Sequence, residues 1–354
     1  MATMSLANIS AFLNLVYGMG VTANFRRDVV LPNIVDTVTE GNSTCTWRTE
    51  IAARNTAAAK AQGYAVQDSD FSSDAKLQAT IAWAHYESYA SIDGTAQRVN
   101  SANKGQDVDE LGHELQAAAE ELAQKISVDS YSGDYTASPV QIGGLAAAVA
   151  ATGTYAGIAQ GSYASWAAGA NTGALASLDL NMIRTKLIRP YKDAVGKVPA
   201  LILTDGTVYD KVVSLFDAKS LIEVTTVMSS SGEQVDIGKL GFRGIKVDGV
   251  TVLEDRHCTS QTMYAVDPRF MEYVQTPPVW TSMDPGQLQG IVKELSGQQI
   301  PIEDIVAAQF AAKRKPTAQI NALAKTGDST RVQLVIDIQL RLRRRSAAAK
   351  LTLS

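Results

Sequence analysis

Residues 143–166 read GGLAAAVAATGTYAGIAQGSYASW, and the interpretation of the whole chain starts from this stretch. It combines paired glycines, an alanine-rich run and three aromatic residues, Tyr155, Tyr163 and Trp166. Small residues let two backbones approach closely, and aromatic side chains are large apolar anchors that need pockets. The stretch contains no Cys, His, Lys, Asp or Glu. We therefore interpret it as a packing and docking segment.

The composition is typical of a globular protein with a substantial core. The chain has 354 residues, of which 45% are hydrophobic and 19% are charged. Its formal net charge of -4 argues against nucleic-acid binding as the main role, because such proteins usually carry a basic excess. Two widely separated cysteines, Cys45 and Cys258, do not make a disulfide framework, which favours a reducing compartment. We see no signal-peptide pattern and no apolar run of bilayer length, so we expect no membrane partner.

The first 40 residues predict an amino-terminal arm. Residues 6–17 have the apolar spacing of a short amphipathic helix, and glycines at 18 and 20 close it. Two interpretations stay open at this point. The segment is either a terminal helix docked on its own domain or an arm that docks on a neighbouring subunit.

Residues 41–90 predict a projecting hairpin. Alternate residues share one side of each strand, namely Cys45, Trp47, Thr49 and Ile51 in the first and Leu77, Ala79, Ile81 and Trp83 in the second. A polar tip that includes Lys60 separates the strands. Because a two-stranded hairpin is marginally stable in water, we expect this one to lie on something else, which indicates assembly.

The clearest helix covers residues 107–128. Asp107 and Glu110 approximate a capping box, and apolar residues recur every three or four positions from Val108 to Ile126. At a rise of about 1.5 Å per residue this helix is on the order of 30 Å long. We interpret His113 on the helix as a surface or packing residue and not as a ligand.

The chain after the opening stretch predicts a small α/β unit. Its expected elements are a helix at Leu178–Tyr191 that stops near Pro190, a strand at 199–204, a helix at 208–216, a hairpin at 241–252 with an Asp-Gly turn, and a strand at 263–266. A proline pair at 277–278 marks a boundary. Because strands and helices form separate regions, we predict an α+β fold over a doubly wound sheet.

The tail predicts a long strand at 331–343 that is covered on one side. Alternate apolar residues from Val332 to Leu342 share one face, and polar residues that include Arg341 and Arg343 occupy the other. These arginines could contact nucleic acid, but we favour intersubunit ion pairs. Lys60 could cross-link to a neighbouring subunit, but we favour a solvated charge that keeps its loop from aggregating.

The sequence has no pattern for catalysis or cofactor binding. The histidines His85, His113 and His257 fall in three different predicted elements, and the His257–Cys258 pair has no second close ligand pair for zinc. Motifs for a nucleophile elbow, a phosphate loop and a dinucleotide site are missing. We therefore expect no catalytic residue, no cofactor, no metal ion and no enzymatic activity.

The opening stretch resembles the major capsid proteins of tailed bacteriophages of the Hong Kong 97 type. The resemblance is carried by Gly144-Leu145, by Gly-Thr-Tyr-Ala-Gly-Ile at 153–158, and by Tyr163 with Trp166. Further similarity lies at 199–204, 241–255 and 339–351. The resemblance covers most of the chain from about residue 105, except that 284–324 does not match the family well.

The resemblance implies a Hong Kong 97-type α+β fold with an arm, a hairpin called the E-loop, a P-domain and an A-domain. The expected boundaries are 1–40 for the arm, 41–90 for the E-loop hairpin, 91–145 for the P-domain with its spine helix at 107–128 and an antiparallel sheet, 146–270 for the A-domain, and 271–354 for the return to the P-domain sheet, with an elaboration at 284–324. The candidate interface residues are Trp47, Lys60, Trp83, Tyr155, Tyr163, Trp166, Arg341 and Arg343.

The resemblance also implies a function in a virion. Members of such families form hexamers and pentamers that tile an icosahedral shell around double-stranded DNA, without reading its sequence, after assembly in the host cytoplasm. The expected partners are the chain itself, a portal protein and decoration proteins. Because no long helical prodomain precedes the arm, we expect either a separate scaffolding protein or none. Two alternatives are an encapsulin-type shell protein of a cargo compartment and a soluble α+β enzyme.

Overall fold

The computed structural model describes residues 30–50, 76–93, 107–163, 166–215, 226–228, 234–236, 244–277, 316, 318–322 and 329–354. The predictions for the amino-terminal helix, the hairpin tip with Lys60 and most of the segment 284–324 lie outside these residues. Within the described part of the chain, none of the helices is long and apolar enough to cross a membrane.

The described elements alternate irregularly between strands and helices. The strands are β1 (Thr37–Thr39), β2 (Cys45–Glu50), β3 (Lys76–Ile81), β4 (Ala84–Asp93), β5 (Thr154–Tyr155), β6 (Ile158–Ala159), β7 (Gly169–Gly173), β8 (Leu201–Thr204), β9 (Thr226–Met228), β10 (Gln234–Asp236), β11 (Gly244–Val247), β12 (Val250–Glu254), β13 (Thr262–Val266), β14 (Met271–Gln275), β15 (Gln319–Ala322), β16 (Ser329–Leu342) and β17 (Ala348–Leu353). The helices are α1 (Leu31–Ile34), α2 (Asp107–Ser132), α3 (Leu145–Ala148), α4 (Leu180–Met182), α5 (Arg189–Val195) and α6 (Gly206–Ser214).

The first sheet is organised around the long tail strand β16. Strands β14 and β15 pair antiparallel with successive parts of β16, β4 pairs with it antiparallel over ten residue pairs, and β1 adds to β14 in parallel. The apolar residues that we predicted for one face, from Val332 to Leu342, are buried, so this part of the prediction is confirmed. The other, polar face was predicted to be uncovered, but part of it is buried.

Near the carboxyl end of β16 the polar face is buried as well. Gln339 is fully buried because its side-chain amide donates to the carbonyls of Ala82 and Gln141, at 2.7 and 3.1 Å, and accepts from the backbone N–H of Gly143 at 2.9 Å. Arg341, two residues on, is also buried. The alternation in the sequence identified the polar face correctly, but polar side chains with hydrogen-bond partners can be covered at modest cost.

The spine helix α2 packs on the first sheet and extends four residues beyond the predicted end. Its apolar stripe is buried, as Ala118, Leu122 and Ile126 show. The helix continues to Ser132 because its polar final turn finds partners outside the helix: Asp129 and Ser130 accept or exchange hydrogen bonds with tyrosine hydroxyls of the first sheet. A polar run that looks like a helix end in sequence is therefore an anchored last turn.

The second sheet contains six strands in the order β11-β12-β8-β13-β17-β7. Two strands, β17 and β4, lie in a different sheet from the one that the expected boundaries assign to them. The last strand, β17, lies in this sheet between β13 and β7, although we assigned 271–354 to the first sheet. Conversely, β4 lies in the first sheet, although its first seven residues fall within the range assigned to the hairpin. Sheet membership depends on which edge is free in the folded chain, which local sequence patterns do not encode.

The helix predicted at 178–191 passes through Pro190 instead of stopping there. A π-helical turn at Ile183–Ile188 joins α4 to α5, and α5 continues to Val195. Proline has no N–H for the carbonyl four residues earlier, that of Lys186. The side-chain amide of Asn171 donates to this carbonyl at 2.7 Å. Because the orphaned acceptor has a partner, the proline does not end the helix.

Both predicted hairpins are present. β2 and β3 pair antiparallel from Cys45–Ile81 to Glu50–Lys76, with the alternation of buried and exposed residues that we predicted. β11 and β12 are joined by Asp248-Gly249, both with positive φ, as a tight two-residue hairpin turn requires.

Candidate assembly site at the base of the hairpin

The motif at 153–158 forms a miniature hairpin that docks on the base of the β2–β3 hairpin. β5 and β6 pair directly, and the turn between them places Ala156 at φ 52° and Gly157 at φ 79°. This left-handed turn directs the carbonyl of Ala156 toward β3, where it accepts a hydrogen bond from the backbone N–H of Thr80 at 3.0 Å. The Gly-Thr-Tyr-Ala-Gly-Ile motif thus ties the connection between the sheets to the hairpin.

Tyr155 is the centre of an aromatic cluster at this junction. Its ring lies 6.3 Å from that of Trp47 on β2, 6.2 Å from that of Trp166, and 5.7 Å from that of Tyr135 in an edge-on arrangement. Tyr155 and Trp166 are almost fully buried, and Trp47 is 7% exposed. Offset aromatic contacts at these distances add to the free energy of burial, so the cluster fastens three separate parts of the chain to one another.

Arg345 closes the cluster from the side of the tail. It is 1% exposed, its guanidinium lies 5.2 Å from the centre of the Tyr155 ring, and it donates to the carbonyls of Ala147, Ala148 and Ala150. The carbonyls of Ala147 and Ala148 end the short helix α3 and that of Ala150 follows it, so a cation there complements the negative end of the helix. Burial lowers the pKa of Arg345 to about 10, and the guanidinium stays charged at neutral pH.

Arg341 makes a second buried contact, with two carboxylates. Its guanidinium donates to Glu272 at 2.5 Å through Nε and to Glu40 at 2.8 Å through Nη1. It also lies 5.9 Å from the centre of the Trp47 ring. Arg343, one residue beyond the end of β16, is exposed and approaches Glu272 at 3.6 Å. The two arginines and two carboxylates balance in charge.

The two cysteines are unreactive by position. Cys45 on β2 and Cys258 are free thiols in buried surroundings. Burial raises the pKa of Cys45 to about 12, and burial likewise raises the pKa of Cys258. Because the thiolate is the reactive form, neither side chain is suited to redox chemistry or metal binding. Among the residues that the structure describes, no group of three or more His, Cys, Asp and Glu side chains is placed to hold a metal ion.

The structure brings together several of the predicted interface residues, but inside the subunit. Trp47, Tyr155 and Trp166 form the buried cluster, and Arg341 is paired with carboxylates of its own chain, although we had favoured intersubunit ion pairs for it. A neighbour's contact with these residues stays a prediction.

The remaining predicted residues lie at the edge of the junction or beyond it. Trp83 and Tyr163 are partly buried against the same core, and the indole N–H of Trp83 donates to the carbonyl of Asn42 at 2.9 Å. Arg343 is exposed, and Lys60 lies outside the described residues. Their contact with a neighbour also stays a prediction.

Sequence reasoning missed three residues of this site. Arg345 follows Arg343 and Arg344 directly, and its position after the predicted strand at 331–343 gives no indication of burial. No sequence pattern marks Glu40 or Glu272 as a partner of Arg341, because each lies far from Arg341 in the sequence.

The two sheets, the long helix and the tethered hairpin define the Hong Kong 97-type fold of capsid shell proteins. The chain is similar to the cyanophage A-1(L) capsid protein, with 14% identity, 92% of each chain covered and a TM-score of 0.60. It is similar to a Mycobacterium phage Bobi structure with 11% identity, 92% of this chain and 91% of the other covered, and a TM-score of 0.52. A similar fold occurs in the holo-SrpI encapsulin complex from Synechococcus elongatus, with 11% identity, 91% and 86% covered, and a TM-score of 0.52.

The family is established by sequence. The model of the SU10 major capsid protein family matches residues 29–282, which is more than half of the chain, and the chain belongs to that family. It is therefore a bacteriophage major capsid protein, a structural subunit of the virion shell and not an enzyme. No curated protein sequence matches the chain. The resemblance stated from residues 143–166 is confirmed.

Proposed function

We propose that this capsid protein assembles as hexamers and pentamers into the icosahedral head of a tailed phage, which encloses double-stranded DNA. The observation that carries the proposal is the family match over residues 29–282. Self-assembly into a capsid lattice follows from the family, whereas the hexamers, the pentamers and the enclosed genome are the proposal.

The form of the hairpin supports this function. β2 and β3 form a sheet of two strands, and isolated two-stranded ribbons are marginally stable in water. Contacts of the Trp47 ring and of the backbone N–H of Thr80 stabilise the base of the ribbon within the subunit. The stretch 51–75 between the strands is proposed to lie across a neighbour, and Lys60, Trp83, Tyr163 and Arg343 are proposed to contribute to such contacts.

The other partners are also part of the proposal. The subunit would assemble in the host cytoplasm, with a separate scaffolding protein, around a portal protein, and would accept decoration proteins on the finished head. DNA would be enclosed without sequence-specific contacts, in keeping with a net charge of -4. During DNA packaging, the spine helix and the hairpin would re-seat against their neighbours.

The encapsulin fold neighbour supports a second candidate function, a shell that encloses protein cargo. Both candidates require closed particles, so particle formation alone does not separate them. The contents do: nuclease-protected DNA supports the phage head, whereas a co-purified enzyme in a DNA-free particle supports the cargo compartment.

The proposal is tested by expressing the full chain alone and together with the structural genes of its phage. Size-exclusion chromatography and negative-stain microscopy should show closed shells, or discrete hexamers and pentamers. A chain that remains monomeric or dimeric under both conditions, over a wide concentration range, would contradict the proposal. Efficient closed shells from the chain alone would contradict only the need for a scaffold.

A further inference from the structure

Arg341 contacts three elements that are far apart in the sequence. Its guanidinium meets Glu272 on β14, Glu40 after β1, and the base of the hairpin on β2. The side chain is 7% exposed. We infer that Arg341 is a positioning residue that sets the direction in which the hairpin leaves the first sheet. The effect of this positioning on shell formation rests on the assembly proposed above.

The base of the hairpin is held by contacts on both of its strands. On β2, the carbonyl of Thr46 accepts a hydrogen bond from Nη1 of Arg341 at 3.3 Å, and the neighbouring Trp47 ring lies against the guanidinium. On β3, the N–H of Thr80 donates to the carbonyl of Ala156. Contacts on both strands restrain rotation of the ribbon about its own axis, whereas a contact on one strand alone would not.

The chemistry of the guanidinium fits this role. Its donors lie in one rigid plane and can serve several acceptors in fixed directions, whereas a lysine ammonium is a compact charge on a flexible stem. Glu272 is held by Nε and Nη2, and Nη1 is shared between Glu40 and Thr46. A lysine at this position would keep the charge but could not hold all three partners in one geometry.

Stability alone is a poor explanation for the buried charges. Removing charges from water costs about as much free energy as their mutual attraction returns, so buried ion pairs seldom stabilise a fold in comparison with apolar residues. Geometric restraint is a role that such pairs do fill in some proteins. The position of Arg341, where arm, hairpin and sheet meet, favours this role.

The test compares Arg341→Gln with Arg341→Lys and with the matched control Arg331→Gln, which removes an exposed arginine from the same face of β16, ten residues away from Arg341. Hydrogen exchange is measured on the full-length unassembled subunit. In Arg341→Gln, the amides of β2 and β3 should exchange about ten times faster, because the base of the hairpin opens more often, while those of α2 keep their protection. Arg341→Lys should fall between this variant and wild type, and Arg331→Gln should match wild type.

Shell yield is measured in parallel with the exchange. Arg341→Gln should form fewer or misshapen shells although the subunit is folded, and Arg331→Gln should assemble normally. Unchanged exchange in β2 and β3 overturns the inference, as does a uniform loss of protection over the whole subunit, which would show a general stabilising role. Failure of wild type to assemble even when it is coexpressed with the structural genes of its phage contradicts the proposed function but leaves the exchange result interpretable.

Arg341→Gln could fail to fold because it leaves two carboxylates unpaired. Glu40→Gln is then the second variant, since it removes one charge, keeps the side-chain shape and leaves the pair with Glu272 intact. It should accelerate exchange in β2 and β3 by a smaller factor than ten, again without an effect on α2. Wild-type exchange in Glu40→Gln overturns the inference.

Discussion

The hydroxyl of Tyr131 donates a hydrogen bond of 2.6 Å to Oδ2 of Asp255. Tyr131 lies in the last turn of the spine helix, and Asp255 directly follows β12 of the second sheet. Both side chains are buried, at 0% and 2% exposure. This bond therefore joins the helix that packs on the first sheet to the second sheet. It is one of three side-chain hydrogen bonds that the final helical turn makes to residues outside the helix, through Asp129, Ser130 and Tyr131.

Tyr131→Phe should lower the free energy of unfolding by about 1–3 kcal/mol, because the buried carboxylate of Asp255 loses a donor that the phenylalanine cannot replace. Equilibrium denaturation in urea measures the change. Tyr264→Phe is a suitable control, since the hydroxyl of Tyr264 donates to Thr259 through a long contact of 3.3 Å and serves no carboxylate. Equal losses in the two variants would contradict a special role for the Tyr131–Asp255 bond.

Asp255→Asn should become relatively more stable as the pH rises. Burial raises the pKa of Asp255 above its ordinary value, and this outweighs the hydrogen bonds from Tyr131 and from the backbone N–H of His257, which lower it. A carboxyl group whose pKa is raised in the folded state stabilises the fold below its unfolded pKa of about 4, and this contribution is lost as the pH rises through the folded pKa. The difference in unfolding free energy, variant minus wild type, should therefore increase over this range. A pH-independent difference would contradict the prediction.

His85 should stabilise the subunit at mildly acidic pH. Its ring nitrogens lie 2.5 Å from Asp337 and 2.6 Å from Glu87, and the hydrogen bond to Asp337 is the main reason that its pKa is raised. The stabilisation is fully present below the unfolded pKa of about 6.5 and is lost as the pH rises through the folded pKa. His85→Gln should thus lower the melting temperature more at pH about 5.5 than at pH about 8.5.

The control for His85 is Ser91→Gln, at an exposed position on the same face of β4. Its melting temperature should differ from wild type by the same amount at both pH values. An NMR titration of His85 gives an independent measurement. An imidazole pKa at or below the ordinary value would contradict the prediction.

Gly144 and Gly157 should respond differently to alanine. A Cβ atom on Gly144 would lie 2.6 Å from the carbonyl oxygen of Asp129 and 2.7 Å from the nitrogen of Gly133, both backbone atoms that cannot move independently. Gly144→Ala should therefore cost about 3 kcal/mol or more, by overpacking. At Gly157 the space is open, and only the positive φ of 79° opposes a side chain, at about 1–2 kcal/mol.

Thermal and urea unfolding of both glycine variants test this order. A larger loss in Gly157→Ala than in Gly144→Ala would show that the turn at 156–157, and not the approach of the helix end to residues 143–144, is the tighter constraint. The Gly157→Ala subunit should stay folded, so hydrogen exchange can be measured on its β3. Exchange at Thr80 reports on the turn, because the backbone N–H of Thr80 donates to the carbonyl of Ala156 in that turn.

The sequence by itself determined the elements whose burial is periodic. The alternation around Trp47 and Ala79, the apolar face of β16 and the stripe of α2 each predicted an element that the structure contains. The Asp248-Gly249 turn followed from backbone preferences of two neighbouring residues. These signals are local, because each depends on residues within one or two turns of the chain. The capsid family was indicated by a resemblance, carried by the motifs within 143–166 and by similar segments downstream.

Tertiary structure alone decided what covers each face and which partner each charge finds. Periodicity indicates that Gln339 and Arg341 share a polar face of β16. It does not identify their hydrogen-bond partners, the carbonyl of Ala82 and the carboxylate of Glu40, which allow the two side chains to be buried. The same holds for Pro190, which a distant amide from Asn171 keeps within a helix. A hydrogen bond between residues far apart in sequence depends on the packing of the whole subunit. Its contribution to the free energy of folding therefore cannot be predicted from any short segment.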